Sequence, residues 1–107
     1  MTSVDLFMEL VGTYRKYGWE LRSVLLRPAT KAVLDQLLED VPVKEALVDA
    51  LWFSRPSHNH REAWELRLLG QTQYALFETF EPEETEAERE EMRGEMEARM
   101  RAYVLGE

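Results

Sequence analysis

Apolar residues recur at helical spacing near the start of the chain and predict a helix over residues 3–17. The positions on its apolar face are Phe7, Leu10, Val11 and Tyr14. Their spacing of i, i+3, i+4 and i+7 puts them on one side of a helix. Thr2 and Asp5 are placed as in a capping box, and Gly18 stands where a left-handed residue ends a helix.

The pattern changes to a two-residue alternation after Gly18, which predicts a strand over residues 19–27. Pro28 ends this strand, and Thr30 is a suitable N-cap for a second helix of about ten residues. The predicted buried face of that helix consists of Val33, Leu34, Leu37, Leu38 and Val41. Pro42 then breaks the helix.

Residues 43–55 fit either a helix or a strand. Apolar residues at helical spacing favour a helix, whereas the bulky aromatic pair Trp52 and Phe53 is typical of a strand. We favour a strand over residues 47–54, because the following hairpin needs a strand to pair with.

Residues 63–69 and 72–80 predict that hairpin, with Gly70-Gln71 as a two-residue type II′ turn, which requires glycine first. In the register set by this turn, Leu66 faces Ala75 and Trp64 faces Phe77. These four side chains would share one face of the sheet. The opposite face would then be the more polar one.

The last segment predicts a long acidic helix that begins at Glu83 or Glu86 and ends at Leu105, with Thr85 and Glu88 as a capping box. Its narrow apolar seam consists of Met92, Met96, Met100 and Val104. Methionine side chains pack adaptively, so this seam fits an irregular core or the groove of a partner. Both alternatives stay open, and the seam is a candidate partner interface.

The elements follow the order α-β-α-β-β-β-α. They predict a single α+β domain over residues 1–107, with a four-stranded, mainly antiparallel sheet and helices packed on one face. The first and last helices would compete for that face, so one of them could reach a second copy of the chain.

The composition narrows the class of protein. The chain has 107 residues and no cysteine, which excludes disulfides, thiolate metal sites and cysteine nucleophiles. Ten arginines against three lysines, with no isoleucine, are typical of a GC-rich bacterial genome. The N-terminal residues lack the basic and apolar regions of a secretory signal, and no apolar run is long enough to span a membrane, so we expect a cytoplasmic protein.

The charge is unevenly distributed. Residues 81–107 hold 10 of the 21 acidic residues and only 4 of the 13 basic ones. Nucleic-acid binding depends on clustered cations, so we expect no nucleic-acid partner. The basic stretch over residues 15–31 contrasts with the acidic tail, and opposite charges of this kind guide association with a second copy or a basic partner.

The strongest candidate for a chemical site consists of His58, His60 and Glu62. Alternate residues of an extended segment point to one side, so two imidazoles and a carboxylate could bind zinc and leave a position open for water. The alternative is a polar loop that contains the only two histidines of the chain. A short His-x-His segment has low specificity, so the alternative is favoured.

Arg22, Arg55 and Arg67 are candidate ligands for a carboxylate or phosphate, because arginines on a sheet can hold such anions by paired hydrogen bonds. The alternative, which we favour, is cross-strand salt bridging on a solvated face. The sequence contains neither a nucleophile elbow nor a glycine-rich phosphate loop, and it predicts no cofactor.

A non-enzymatic role therefore fits better than an enzymatic one. The leading hypothesis is a small protein-interaction module, most simply a homodimer. A metal-binding protein or hydrolase that uses His58 and His60 is one alternative, and a domain that binds a small anion is another.

Overall fold

The computed structural model describes residues 2–107 as an α+β fold with three helices and a five-stranded mixed sheet. The helices are α1 (Ser3–Lys16), α2 (Pro28–Leu34) and α3 (Glu86–Leu105), with short 3-10 turns at Asp35–Leu37 and His58–His60. The strands are β1 (Glu20–Leu26), β2 (Val43–Glu45), β3 (Ala50–Pro56), β4 (Glu62–Leu68) and β5 (Ala75–Phe80). Within residues 2–107, no helix is long and apolar enough to cross a membrane.

The strand order in the sheet is β2-β1-β3-β4-β5. β1 and β2 are parallel, whereas the other neighbouring pairs are antiparallel. The prediction of a mainly antiparallel sheet is confirmed, but the sheet has five strands rather than four. The additional strand, β2, has only three residues, which is too short for a periodic pattern to reveal.

Helices cover both faces of the sheet, so the prediction of helices on one face was wrong. β3 shows the reason: Leu51 and Phe53 pack in the core beneath α1 and α2, and Ala50 and Trp52 pack in a second core beneath α3. Successive side chains of a strand point to opposite faces. A strand with an uninterrupted buried run therefore needs a cover on each side.

α1 forms as predicted. Thr2 and Asp5 make a capping box, and Gly18 follows the helix with a φ of 87°, which glycine adopts without steric cost. Its buried residues are Phe7, Leu10 and Val11. This helix covers the β1 and β3 part of one sheet face.

α2 differs from the prediction. The helix begins at Pro28 with Arg27 as N-cap, so Thr30 lies in its first turn rather than at its cap. The helix is also shorter than predicted and continues as a 3-10 turn. Val33 and Leu37, predicted to be buried, are exposed, whereas the prediction of buried Leu34 and Leu38 is confirmed.

Asp49 joins α2 to the sheet. Its carboxylate accepts hydrogen bonds from the Arg27 backbone N–H (2.8 Å) and Nη2 (2.8 Å) and from the Thr30 hydroxyl (2.7 Å). The Asp49 carbonyl accepts a further bond from the Leu69 N–H. The buried carboxylate thus has a cation and several donors, the condition under which burial of a charge is tolerated.

The β4–β5 hairpin has a register one residue away from the predicted one. Leu66 lies opposite Leu76, and Glu65 lies opposite Phe77. β4 ends at Leu68 and β5 begins at Ala75, so the predicted two-residue turn was wrong. A slip of one residue exchanges the two faces of a strand. Leu76 therefore enters the core under α3, and Phe77 turns to the opposite face.

α3 docks on the sheet of its own chain. Met96 and Met100 are 1 % and 0 % exposed, and both pack against Trp52 and its neighbours. Glu97 fixes the position of the helix, because its carboxylate accepts hydrogen bonds from Trp52 Nε1 (2.9 Å) and Lys44 Nζ (2.8 Å). The predicted capping box of Thr85 and Glu88 is confirmed.

Candidate functional site

The sheet face that carries α1 is covered only over β1 and β3. The remaining part, formed by β4 and β5, is called the open half-face here and consists of Glu65, Arg67, Ala75, Phe77 and Thr79. Phe77 is 57 % exposed, although phenylalanine is usually buried. The open half-face is thus a place where a partner could remove apolar surface from water.

Tyr14 of α1 forms the border of the open half-face. Its ring stacks on Phe53 with a centroid distance of 4.1 Å, and its hydroxyl donates a hydrogen bond to Glu65. Burial raises the pKa of Tyr14 well above its usual value, and the hydrogen bond to the Glu65 carboxylate raises it further. The phenol therefore keeps its proton and ties the helix to β4.

Trp19 lies next to this border. Its ring is 6.4 Å from the ring of Phe77 in an edge-to-face arrangement, and the guanidinium carbon of Arg55 lies 4.6 Å from the Trp19 ring centroid. Arg55 also donates a hydrogen bond to the Tyr17 carbonyl (2.9 Å). A cavity of about 320 Å³ opens between these aromatic and charged groups.

β5 is an edge strand whose outer side pairs with no other strand among residues 2–107. The Leu68 N–H donates to the Tyr74 carbonyl (2.9 Å), and hydrogen-bonded pairs alternate along an antiparallel ladder. The backbone groups of Ala75, Phe77 and Thr79 therefore point away from β4. Of these groups, the Thr79 N–H is satisfied by the Glu78 side chain (3.0 Å).

Arg67 lies at the inner wall of a groove between α1 and the connection from β4 to β5. The groove has a volume of about 520 Å³. Its lining residues are Leu6, Glu9, Leu10, Thr13, Tyr14, Arg67, Gly70, Gln71 and Gln73. Arg67 Nε is buried and has no hydrogen-bond partner among the described residues.

A larger, shallower cavity of about 710 Å³ lies at one end of the sheet. It brings together four of the residues singled out from the sequence: Arg22, Arg55, His60 and Glu62. Each of its arginines has a partner: Arg22 pairs with Glu20, Arg61 pairs with Glu81, and Arg55 holds the Tyr17 carbonyl. This cavity holds a network of local contacts: the Arg22–Glu20 pair lies within β1 and Arg55 holds a backbone carbonyl, so these are not the cross-strand salt bridges that the sequence alternative assumed.

Arg67 does not belong to this network, so the three candidate arginines do not form one site. Arg22 points to the α3 face, where its guanidinium carbon lies 5.6 Å from the Trp64 ring centroid. Arg55 and Arg67 lie on the α1 face but line separate cavities.

The three predicted metal ligands are not arranged as the zinc hypothesis assumed. The segment is a 3-10 turn with left-handed residues at Asn59 and His60 rather than an extended strand. Within residues 2–107, no group of three histidine, aspartate or glutamate side chains is placed to hold a metal. The three arginines in the cavity beside His60 also oppose a divalent cation. The geometry gives the zinc hypothesis no support.

The methionine seam packs against the sheet of its own chain, which is the first of the two alternatives. Met96 and Met100 are buried in the core, and Met92 packs at its margin. Val104 is 41 % exposed and lies beyond this core. The exposed surface is instead the β5 edge with Phe77, which the sequence analysis did not identify because the predicted register turned Phe77 inward.

No protein-family model, curated protein or solved structure matches this chain.

Proposed function

We propose that this protein is a small interaction domain that forms a homodimer by antiparallel pairing of β5 with β5 of a second copy. The supporting observation is the open β5 edge, where Phe77 exposes its ring and its backbone groups together. Strand addition of this type gives affinity through main-chain hydrogen bonds and specificity through alternate side chains.

The residue pattern of β5 suits a symmetric pairing centred on Phe77. In this register Phe77 faces the partner's Phe77, and Ala75 faces the partner's Thr79. All these residues direct their backbone groups outward, so their N–H and C=O groups can pair across the two-fold axis. The two phenylalanine rings meet as a cross-strand aromatic pair.

The same register avoids a charge conflict. Glu78 faces the partner's Leu76 when the axis passes through Phe77. A shift of the axis to Glu78 would place two carboxylates directly opposite each other, which is destabilising. The charge pattern thus favours an axis through Phe77 over an axis through Glu78. The carboxylate of Glu78 would release the Thr79 N–H for the intermolecular ladder.

The edge lacks three of the features that commonly protect an edge strand, and Glu78 is its only charged residue. Edge strands are commonly protected by lysine, by proline or by a bulge. The segment Ala75–Phe80 contains neither lysine nor proline, and its pairing with β4 is regular.

A rival mode of association would join the basic stretch over residues 15–31 to the acidic α3. α3 lies on the sheet face opposite α1 and α2. Complementary patches on opposite faces give a head-to-tail contact, which closes into a ring or extends into a filament rather than forming a two-fold dimer. The two modes differ in their salt dependence. Each copy carries a formal net charge of −8, so salt strengthens β5 pairing by screening repulsion, whereas it weakens the charge-driven contact.

Sedimentation equilibrium tests the proposal. The interface is small, so we expect a dissociation constant on the order of 1–100 µM and a range from about 5 µM to about 1 mM in protein is needed. The expected result is a monomer–dimer equilibrium that shifts toward dimer between about 50 mM and about 500 mM salt.

Phe77→Lys should abolish the dimer, because it places two ammonium groups at the axis, whereas within each chain the new lysine lies opposite Glu65. Met8→Lys is the matched control, since Met8 is 59 % exposed on α1 and Phe77 is 57 % exposed. A wild-type protein that stays monomeric over the whole range, or a dimer lost in both variants alike, would refute the β5 interface.

A further inference from the structure

We propose that the groove between α1 and the β4–β5 connection binds a small monocarboxylate with an apolar body, and that Arg67 holds its carboxylate. The groove, of about 520 Å³, lies one strand inward from the β5 edge and does not depend on dimer formation. Its size falls within the range of small-molecule sites.

The isolation of Arg67 is the first observation. Its Nε atom is buried and lacks a hydrogen-bond partner among residues 2–107. Arg67 also forms no salt bridge with any carboxylate of the described chain. A buried donor without an acceptor costs free energy, and the penalty is larger for a charged group. The enclosed Nε is out of reach of a ligand, so a carboxylate in the groove would be held by the two terminal nitrogens of Arg67.

The neighbouring carboxylate forms no salt bridge with Arg67. Glu65 lies two residues before Arg67 on the same face of β4, but its carboxylate accepts the hydrogen bond of the Tyr14 hydroxyl. The two terminal nitrogens of the guanidinium form a planar fork that matches the two oxygens of a carboxylate.

The charge of the groove favours a monoanion. Arg67 is the only basic residue in its lining, and Glu9 lies in the same lining. One cation beside one carboxylate is unfavourable for a dianion such as phosphate, and the net charge of −8 adds to this. A ligand with one carboxylate can place that negative charge against Arg67, and it carries no second negative charge that Glu9 would repel.

The other residues that line the groove determine which uncharged part of a ligand fits there. Leu6, Leu10 and Tyr14 present apolar surface from α1, whereas Thr13, Gln71 and Gln73 provide hydroxyl and amide groups. An aromatic or branched aliphatic body removes the first set from water, and the second set can bind a polar substituent.

The larger cavity at the end of the sheet carries no comparable proposal. Its arginines already hold Glu20, Glu81 and the Tyr17 carbonyl, so an anion there would have to displace existing partners.

The test is an NMR titration of the full chain with phenylacetate, 4-methylpentanoate and cyclohexanecarboxylate. The Arg67 Nε–H signal and the amides of Gln71 and Gln73 should shift in a saturable manner with at least one of these probes. Phenylacetamide, which has the same body without the charge, and inorganic phosphate, which is an anion without the body, should each bind at least about tenfold more weakly.

Arg67→Gln should weaken binding at least about tenfold, and Arg67→Lys should restore only part of it, because lysine lacks the planar fork. Arg55→Gln, which alters the neighbouring cavity, should bind as the wild type does. Thermal melting verifies that each variant is folded.

Absence of a saturable shift with all three acids would overturn the proposal, as would equal binding by Arg67→Gln or by phenylacetamide. Binding of phosphate in preference to the acids would also overturn it. The affinity for the acid should be the same at protein concentrations where the monomer predominates and where the dimer predominates, so failure of the dimer and failure of this site can be told apart.

Discussion

Phe77 on β5 lies directly opposite Glu65 on β4, and this pairing turns the phenylalanine ring to the sheet face that α1 leaves uncovered. Glu65 is held by Tyr14, so the polar member of the pair is satisfied within the chain. The Phe77 ring, by contrast, remains more than half exposed. The exposed ring and the outward backbone groups of the same residue therefore coincide at one edge of the sheet, and the proposed dimer depends on this coincidence.

Asp49→Ala should destabilise the fold by about 2–4 kcal/mol. The substitution removes the acceptor of the Arg27 backbone N–H and leaves the buried Thr30 hydroxyl without its partner. Urea unfolding measures the change. Asp40→Ala, at an exposed position, should alter stability by less than about 0.5 kcal/mol. Equal effects of the two substitutions would contradict the role of Asp49.

Met96→Ala should lower the free energy of unfolding by about 2–4 kcal/mol, because it opens a cavity between α3 and the sheet. The loss should be independent of protein concentration, since the seam packs within one chain. Val104→Ala, at the exposed end of the same helix, should change stability by less than about 0.5 kcal/mol. A loss for Met96→Ala that disappears at high protein concentration would instead indicate an intermolecular seam.

Tyr14→Phe should destabilise the protein by about 1–2 kcal/mol at neutral pH, because it removes the hydrogen bond to Glu65. The difference should depend on pH in a defined direction. The pKa of Tyr14 is raised in the folded state, so its stabilising effect is complete below the unfolded-state pKa of about 10 and is lost as the pH rises above it.

Urea unfolding at several pH values between about 8 and about 11.5 checks this linkage. The wild-type curve should fall more steeply above pH 10 than that of Tyr14→Phe. Tyr17→Phe is the control, because Tyr17 is 63 % exposed and should follow the wild type. Parallel curves for the wild type and Tyr14→Phe would exclude the proposed linkage.

Local signals predicted the ends of α1 and the start of α3, but not the start of α2 or the β4–β5 turn. The capping boxes at Thr2 and Thr85, and the left-handed Gly18, depend on residues close in sequence, and all three form as predicted. The number of covered faces depends on tertiary packing instead. The uninterrupted apolar run Ala50-Leu51-Trp52-Phe53 was the available signal for a strand buried on both sides.

The site was harder to predict than the fold. Arg67 was a candidate because it is an arginine. The strand register places it on the sheet face opposite Arg22 and leaves its Nε without a hydrogen-bond partner among the described residues. The exposure of Phe77 follows from a difference of one residue in that register. The turn residues alone did not determine the register. Leu76 and Phe80 become buried under α3 only when the longer connection between β4 and β5 forms.

Amide hydrogen exchange at Phe77 is the most direct test of the proposed dimer. Its N–H points away from β4 and lies on the edge of the sheet, so it should exchange rapidly in dilute protein. At concentrations that favour the dimer, the Phe77 amide should become protected, and Phe77→Lys should abolish the parallel protection of Ala75. Rapid exchange of the Phe77 amide at every concentration would contradict β5 pairing.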